Sequence, residues 1–335
     1  MKVRFGLLVL AAALVGSAGC GDDDGVTPTD AGMSDMDSGD VDSGTVMVNC
    51  PTGAPLPHDQ MGVCCYRASN AAQLTAPELR LAAVKINSPS SLASTILRGL
   101  IAGAVDEERF NWLVRIEGAP TMGSGAVTIK TGLGWRDDAT STFAFADNNA
   151  PVGMPAMPTD RWNPRSFPGM MDGETFSAMR ATEVVTLPIF RSPEDDAGVN
   201  AVLIELPLRG LELTSGTLSE DRSCVGRRNA SPSYDTSAGD LSAFLTVAET
   251  TVVRLDISSI HASLCMLIAG MSSMPGNCDD AAYPRAMWMV KPDSLCTGGT
   301  CISNRMTPGT CDPDTTCDAW ELIAEFAAQG VSITN

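Results

Sequence analysis

The sequence predicts a mainly β fold with helical additions, in the α+β class, that disulfide bonds stabilise. Several stretches alternate apolar and polar residues with the period of two that is typical of half-buried strands. Two others carry helix signals, and ten cysteines follow residue 49. We therefore expect an antiparallel sandwich- or barrel-like sheet with an amphipathic helix at about 88–105 and a C-terminal helix at about 318–329.

The N-terminus has the layout of an export signal. Lys2 and Arg4 precede the apolar stretch Phe5–Val15, and small residues occupy 16–19. This pattern predicts a signal peptide over 1–19. The apolar stretch is too short to cross a membrane, and its flanking residues are not those of a transmembrane helix.

The position of Cys20 directly after these small residues resembles the lipobox of bacterial lipoproteins, although Ser17 stands where that family usually has Leu. The resemblance implies that Cys20 is lipidated and becomes the new N-terminus. It covers only the first 20 residues. Gly21 replaces the Asp that marks inner-membrane retention in enteric members, which implies the outer membrane. The alternative is an ordinary secretory signal cleaved near Ala18, with Cys20 in a disulfide.

Residues 20–49 are predicted to form an acidic, disordered tether. Between Gly21 and Asn49 there are eight Asp, no Lys or Arg and no aromatic residue. Such a composition cannot bury enough apolar surface to order itself. The folded part is then a single β-rich extracytoplasmic domain over 50–335, with a Cys-rich segment at 290–320.

Strands are predicted wherever the period-two alternation recurs in this domain. In Asn111–Glu117, Trp112, Val114 and Ile116 face one way, while Asn111, Arg115 and Glu117 face the other. The remaining predicted strands are Leu79–Ile86, Ala126–Trp135, Thr142–Ala146, Glu183–Phe190, Asn200–Leu206, Leu208–Leu218 and Thr251–Ile257.

The helix at 88–105 is predicted from Ser88 as N-cap, Pro89 at the first position and an apolar face that includes Leu92 and Ile96. Asp318 with Glu321 three residues later resembles a capping box for the second helix. By contrast, residues 148–179 are rich in Pro, Gly and Met and are predicted to form a long loop. Alternatively, the methionines of this segment could bind Cu(I) through their thioethers.

An even set of ten cysteines in an exported chain predicts five disulfides. Local bridges Cys296–Cys301 and Cys311–Cys317 are expected, with a zinc site on these four thiols as the alternative. The remaining candidates are Cys50, Cys64, Cys65, Cys224, Cys265 and Cys278.

No cofactor is predicted, and the one calcium-like pattern in the sequence is incomplete. Asp312, Asp314 and Asp318 alternate as in a calcium loop but lack its central glycine and terminal Glu. The two histidines, His58 and His261, lack the motifs that accompany nucleophilic catalysis, so we do not expect an enzyme. The remaining alternative is a secreted hydrolase, in which a cleft would unite His261 or His58 with a nucleophile or paired carboxylates.

A net charge of −18 argues against nucleic acid as a partner. The expected function is therefore a lipid-anchored, non-enzymatic domain that binds a surface or envelope macromolecule or has a structural role in the envelope. Its expected location is the outer membrane, on the periplasmic face or at the cell surface. The other reading is a carrier of a lipid or other hydrophobic ligand in a cavity beneath the 88–105 helix.

Overall fold

The computed structural model describes residues 71–93, 101, 103–105, 110–137, 139–140, 142–146, 162–190, 202–228, 234–257, 260–271, 273–274 and 276–334. This part of the chain holds seventeen strands. In chain order β1 to β17 they are Glu78–Ser88, Trp112–Glu117, Ser124–Asp137, Thr142–Phe145, Arg165–Asp172, Thr175–Ala178, Val184–Phe190, Val202–Thr217, Cys224–Val225, Arg227–Arg228, Tyr234–Asp235, Gly239–Thr246, Arg254–Ile257, Ile260–Ser263, Ser294–Thr297, Thr300–Ser303 and Ala319–Gly330.

Eight of these strands close into an antiparallel barrel. Its order is β1-β2-β3-β5-β6-β8-β12-β17, and β17 pairs with β1 to complete the ring. Each barrel strand pairs with the next barrel strand along the chain, so the topology is up-and-down. Of the two predicted architectures, the barrel is the one that forms.

The closing pair runs from Leu79 opposite Gly330 to Ser88 opposite Ile323, with register shifts after Leu81 and after Ile86. An irregularity of this kind adds an unpaired residue and increases the local bend and twist of the strand. Such bends help a sheet to curve back on itself.

Shorter elements decorate the barrel. Strands β4, β7 and β9 pair with β3, β8 and β17, the hairpin β15–β16 joins β17, and two separate hairpins form from β10–β11 and β13–β14. The helices whose bounds are described are α1 (Ala71–Thr75), α2 (Val247–Val252), α3 (Leu264–Ile268) and a 3-10 turn at Arg285–Met287. Within the described residues, no helix has the length and apolarity needed to cross a membrane.

The C-terminal helix predicted at 318–329 is wrong, because this segment is the barrel strand β17. Its apolar residues also satisfy a period of two. Leu322, Ala324 and Phe326 face the barrel interior, while Glu321 and Glu325 alternate with them. The half-buried Ile323 on the outer face produces the false helical spacing with Trp320 and Phe326.

The helix predicted at 88–105 does not begin at Ser88. Ser88 is the last residue of β1, and 89–93 form turns, so the predicted N-cap does not start a helix. Helical backbone occurs at Ile101 and at 103–105, whereas 94–100 and 102 lie outside the described residues. With seventeen strands and three α-helices of five or six residues whose bounds are described, the fold is mainly β rather than α+β.

Two further segments differ from expectation. The predicted loop at 148–179 contains β5 and β6 in its described part. The strand predicted at Thr251–Ile257 is confined to Arg254–Ile257, because Thr246 caps α2 by accepting a hydrogen bond from the Glu249 amide.

Three disulfides join described cysteines: Cys265–Cys278, Cys296–Cys301 and Cys311–Cys317. The two predicted local bridges are confirmed, and the zinc alternative is wrong because its four thiols are oxidised in pairs. Cys224 is also disulfide-bonded. Cys50, Cys64 and Cys65 lie outside the described residues.

Candidate functional site

The barrel interior contains a cavity that every one of the eight barrel strands helps to line. Alternation along each strand directs every second side chain inward, so the lining is a direct product of the period-two pattern. Among the lining residues are Leu81 from β1, Leu206 and Leu213 from β8, and Phe326 from β17. We refer to this cavity as the lumen.

The lumen has a volume of about 70 Å³, and its lining is apolar apart from Thr131. The Thr131 hydroxyl donates a hydrogen bond to the Leu113 carbonyl at 2.8 Å, a contact that is itself buried. The donor that this side chain could offer to a ligand is thus already engaged. The site is suited to contact by shape and dispersion rather than by hydrogen bonding.

The connection between β1 and β2 contributes two residues to the lumen, Ile101 and Phe110. The Phe110 amide donates to the Ala104 carbonyl at 2.8 Å, which ties the ring to the helical backbone at 103–105. Phe110 stacks on Trp112, with ring centroids 6.3 Å apart. The carrier reading placed a cavity beneath this segment, and Ile101 and Phe110 do reach the lumen.

A buried polar cluster lies outside the lumen, where the β15–β16 hairpin meets β17. The Glu321 carboxylate, 2% exposed, accepts hydrogen bonds from Ser303 Oγ at 2.7 Å and from Arg305. Asp293 Oδ1 accepts from the Glu321 amide at 2.9 Å. Burial raises the pKa of Asp293, with the charge of Glu321 adding to the effect, while the hydrogen bond to Glu321 raises the pKa of Arg305.

The structure does not bring the predicted hydrolase residues into the lumen. His261 is exposed on β14, opposite Asp256 on β13. Ser263 accepts a hydrogen bond from the Met266 amide as the N-cap of α3. His58 lies outside the described residues. The expectation that the protein is not an enzyme stays a prediction.

The three calcium candidates make separate contacts in the disulfide loops. Asp312 accepts from the Asp314 amide at 2.9 Å, Asp314 pairs with Lys291, and Asp318 accepts from the Cys296 amide at 2.8 Å. No cluster of three or more His, Cys, Asp or Glu able to hold a metal occurs among the described residues.

The methionines weighed as a copper site do not converge in the described part of the chain. Met170 and Met171 are neighbours on β5, where Met171 is buried in the core and Met170 is half exposed. Successive strand residues point to opposite faces, so the two thioethers cannot share an ion. Cys20, the predicted lipid attachment residue, lies outside the described residues.

The part of the lumen that β5 and β6 line was not predicted from the sequence. Phe167 and Ala178 line it, within the segment predicted to be a loop. The available signal was the inward series Phe167, Gly169 and Met171, which Pro168 and the glycine itself obscure.

No protein-family model matches the chain, and neither a curated protein nor a solved structure shows significant similarity to it.

Proposed function

We propose that this protein is an exported lipoprotein whose barrel binds a small apolar molecule at the cell envelope. The observation that carries the proposal is the lumen, an apolar cavity to which all eight barrel strands contribute. Eight-stranded barrels have an interior just wide enough to be filled by side chains or to hold one small ligand. A barrel that holds a ligand requires a void at this position.

An unfilled cavity also carries a free-energy cost. At about 24 cal/mol per Å³, a void of 70 Å³ lowers the stability by on the order of 2 kcal/mol relative to a filled core. Well-packed interiors contain few voids larger than a water molecule. A ligand that restores the missing contacts would recover part of this cost, so binding and folding stability are linked.

The N-terminal sequence supports the anchor and the location. Cys20 follows a signal-like stretch and precedes the acidic segment 21–49, which is suited to hold the barrel away from a bilayer. The proposed location is accordingly the outer membrane, with the barrel on the periplasmic face or at the cell surface.

Native mass spectrometry tests the binding proposal. Protein purified from its own envelope is weighed under native conditions and again after denaturation without reduction. We expect an excess mass that is lost on denaturation and extracted into organic solvent. The absence of any excess mass would favour the alternative, an envelope-structural domain that binds macromolecules.

The anchor is tested by the mass of the N-terminal peptide. We expect the mature protein to begin at Cys20 and to carry an added lipid mass. The Cys20→Ala variant should lose this mass, whereas Thr27→Ala, a control in the tether, should keep it. An unmodified Cys20 in the mature protein would contradict the lipoprotein assignment.

A further inference from the structure

We infer that the ligand of the lumen is an uncharged, mainly hydrocarbon group that carries no carboxylate or carbonyl into the barrel. This inference rests on the proposed function and adds the chemical class of the ligand. It excludes free fatty acids bound by an internal carboxylate contact. It also makes small lining residues, rather than polar ones, the determinants of specificity.

The first step of the argument concerns hydrogen bonds. Thr131 is the one polar residue among those that line the lumen in the described part of the chain. Its hydroxyl proton is directed to the Leu113 carbonyl. A carbonyl or carboxylate of a ligand would leave its water partners without gaining a donor in the lumen, and a polar group buried in that way is penalised. A ligand hydroxyl can still donate to Thr131 Oγ1, because a hydroxyl oxygen also accepts.

The second step concerns charge. No Lys or Arg lines the lumen among the described residues. Arg80 is fully buried, but on β1 it alternates with the lumen residue Leu81 and faces the other way. Its guanidinium donates to Asn111 Oδ1 at 2.6 Å and to the Val105 carbonyl at 2.5 Å.

Two other cations, Arg209 on β8 and Arg180 just after β6, are engaged elsewhere. Arg180 pairs with Glu212 at 2.9 Å and stacks on the Phe244 ring, and Arg209 pairs with Glu249. A carboxylate placed in the lumen would therefore be buried without a cation from these residues. Burial of an uncompensated charge is strongly disfavoured, so the geometry selects a neutral group.

The third step concerns size. The lumen is about half of the roughly 150 Å³ that admits benzene in an engineered protein cavity. It fits a short hydrocarbon group, such as the end of an alkyl chain. Ala178 on β6 and Ala324 on β17 are the smallest side chains in the lining, and they leave this space open.

The test compares two probes of equal chain length, n-hexanol and hexanoate, by calorimetric titration at pH 7.5. The protein is the chain from Gly21 onward, exported behind a cleavable secretory signal so that its disulfides form and no detergent is needed. We expect hexanol to bind at least tenfold more tightly than hexanoate, with no dependence on salt. Equal or tighter binding of hexanoate that strengthens at low salt would overturn the inference.

Variants place the binding in the lumen. Ala324→Leu adds three carbons at a position that faces the void, and it should weaken hexanol binding at least tenfold. Ala126→Leu is the matched control, because Ala126 is exposed on the outer face of β3. If Ala324→Leu does not fold, Ala178→Leu replaces it in the test, because Ala178 lines the same void from another strand. Wild-type affinity in a folded lumen variant would overturn the inference.

The two proposals fail in different ways. If neither hexanol nor hexanoate binds, the assigned ligand class is wrong. The native mass spectrum of the envelope-purified protein decides the proposed function separately, because it requires no assumption about ligand chemistry.

Discussion

Glu321 on β17 and Arg305 form a two-point ion pair across the junction between the barrel and the β15–β16 hairpin. Arg305 Nε donates to Glu321 Oε2 at 3.0 Å, and Nη2 donates to Oε1 at 3.2 Å. The carboxylate is 2% exposed, whereas the arginine side chain is 62% exposed. A solvent-accessible cation therefore compensates a buried anion, and this pair fastens the disulfide-bearing hairpin to the barrel.

We predict that Arg305→Ala lowers the free energy of unfolding by about 2 kcal/mol, the scale of a hydrogen bond to a charged group. The loss arises because Glu321 remains buried with Ser303 as its remaining side-chain donor among the described residues. Denaturant titration at pH 7 measures it. Arg305→Lys keeps the positive charge but loses the forked guanidinium geometry. Its free energy of unfolding should lie between those of the wild type and Arg305→Ala. Unchanged stability in Arg305→Ala would show that water compensates the carboxylate.

Asp293 should make the protein less stable as the pH rises from acidic values. Its pKa is raised above 3.8 in the folded state, mainly because the side chain is buried and partly because Glu321 is close. The folded state then binds the proton more tightly than the unfolded state between 3.8 and the raised pKa. The contribution of Asp293 to the free energy of unfolding is therefore fully present below pH 3.8 and is lost as the pH rises through the raised pKa.

The Asp293→Asn variant tests this dependence. Asparagine keeps an oxygen that can accept from the Glu321 amide and from Ser294 Oγ, as Asp293 does. Unfolding titrations between pH 3.5 and 7 should show the variant gaining stability relative to the wild type as the pH rises. A constant difference over this range would mean that another group controls the dependence.

The sequence predicted the strands that have one apolar and one polar face. Within β2, Trp112, Val114 and Ile116 share one face and Arg115 and Glu117 lie on the other, and the structure places the strand at Trp112–Glu117. The same signal located β1, β3, β4 and β7. It also indicated β8, although as two strands, because Pro207 interrupts a ladder that in fact continues opposite Thr186.

Prediction failed where both faces of a strand are covered. In β17, Ile323 on the outer face adds an apolar residue at helical spacing, so period alone cannot separate strand from helix. The enclosure of the lumen by eight strands could not be predicted, because it depends on the closure of β1 against β17, a contact between distant segments. The local disulfides were predictable since their partners are close in sequence.

Gly216 on β8 should tolerate no side chain. A Cβ there would lie 2.4 Å from the ring of Phe176, which is 1% exposed and has no room to move. We expect Gly216→Ala to destabilise the protein by about 2 kcal/mol through overpacking. Gly125→Ala is the control, because its Cβ would meet Pro120 at an ordinary 3.4 Å. Thermal unfolding of both variants measures the two changes in stability. Unchanged stability in Gly216→Ala would show that this end of the barrel is loosely packed.

The Cys265–Cys278 disulfide should contribute more to stability than Cys311–Cys317. The first links cysteines 13 positions apart and the second links cysteines 6 apart. A longer closed loop restrains the unfolded chain more, by about 0.6 kcal/mol for a doubling of its length. Cys265 is also fully buried in α3, whose five residues all pack into the core.

The double variant Cys265→Ala/Cys278→Ala should therefore lose about 3 kcal/mol, the value expected for a loop of this size. The variant Cys311→Ala/Cys317→Ala should lose less. Denaturant unfolding of both, exported to an oxidising compartment, measures the two losses. An equal or greater loss in the second variant would mean that the Cys311–Cys317 loop stabilises the protein through its contacts with Asn304 and Arg285 rather than through loop closure.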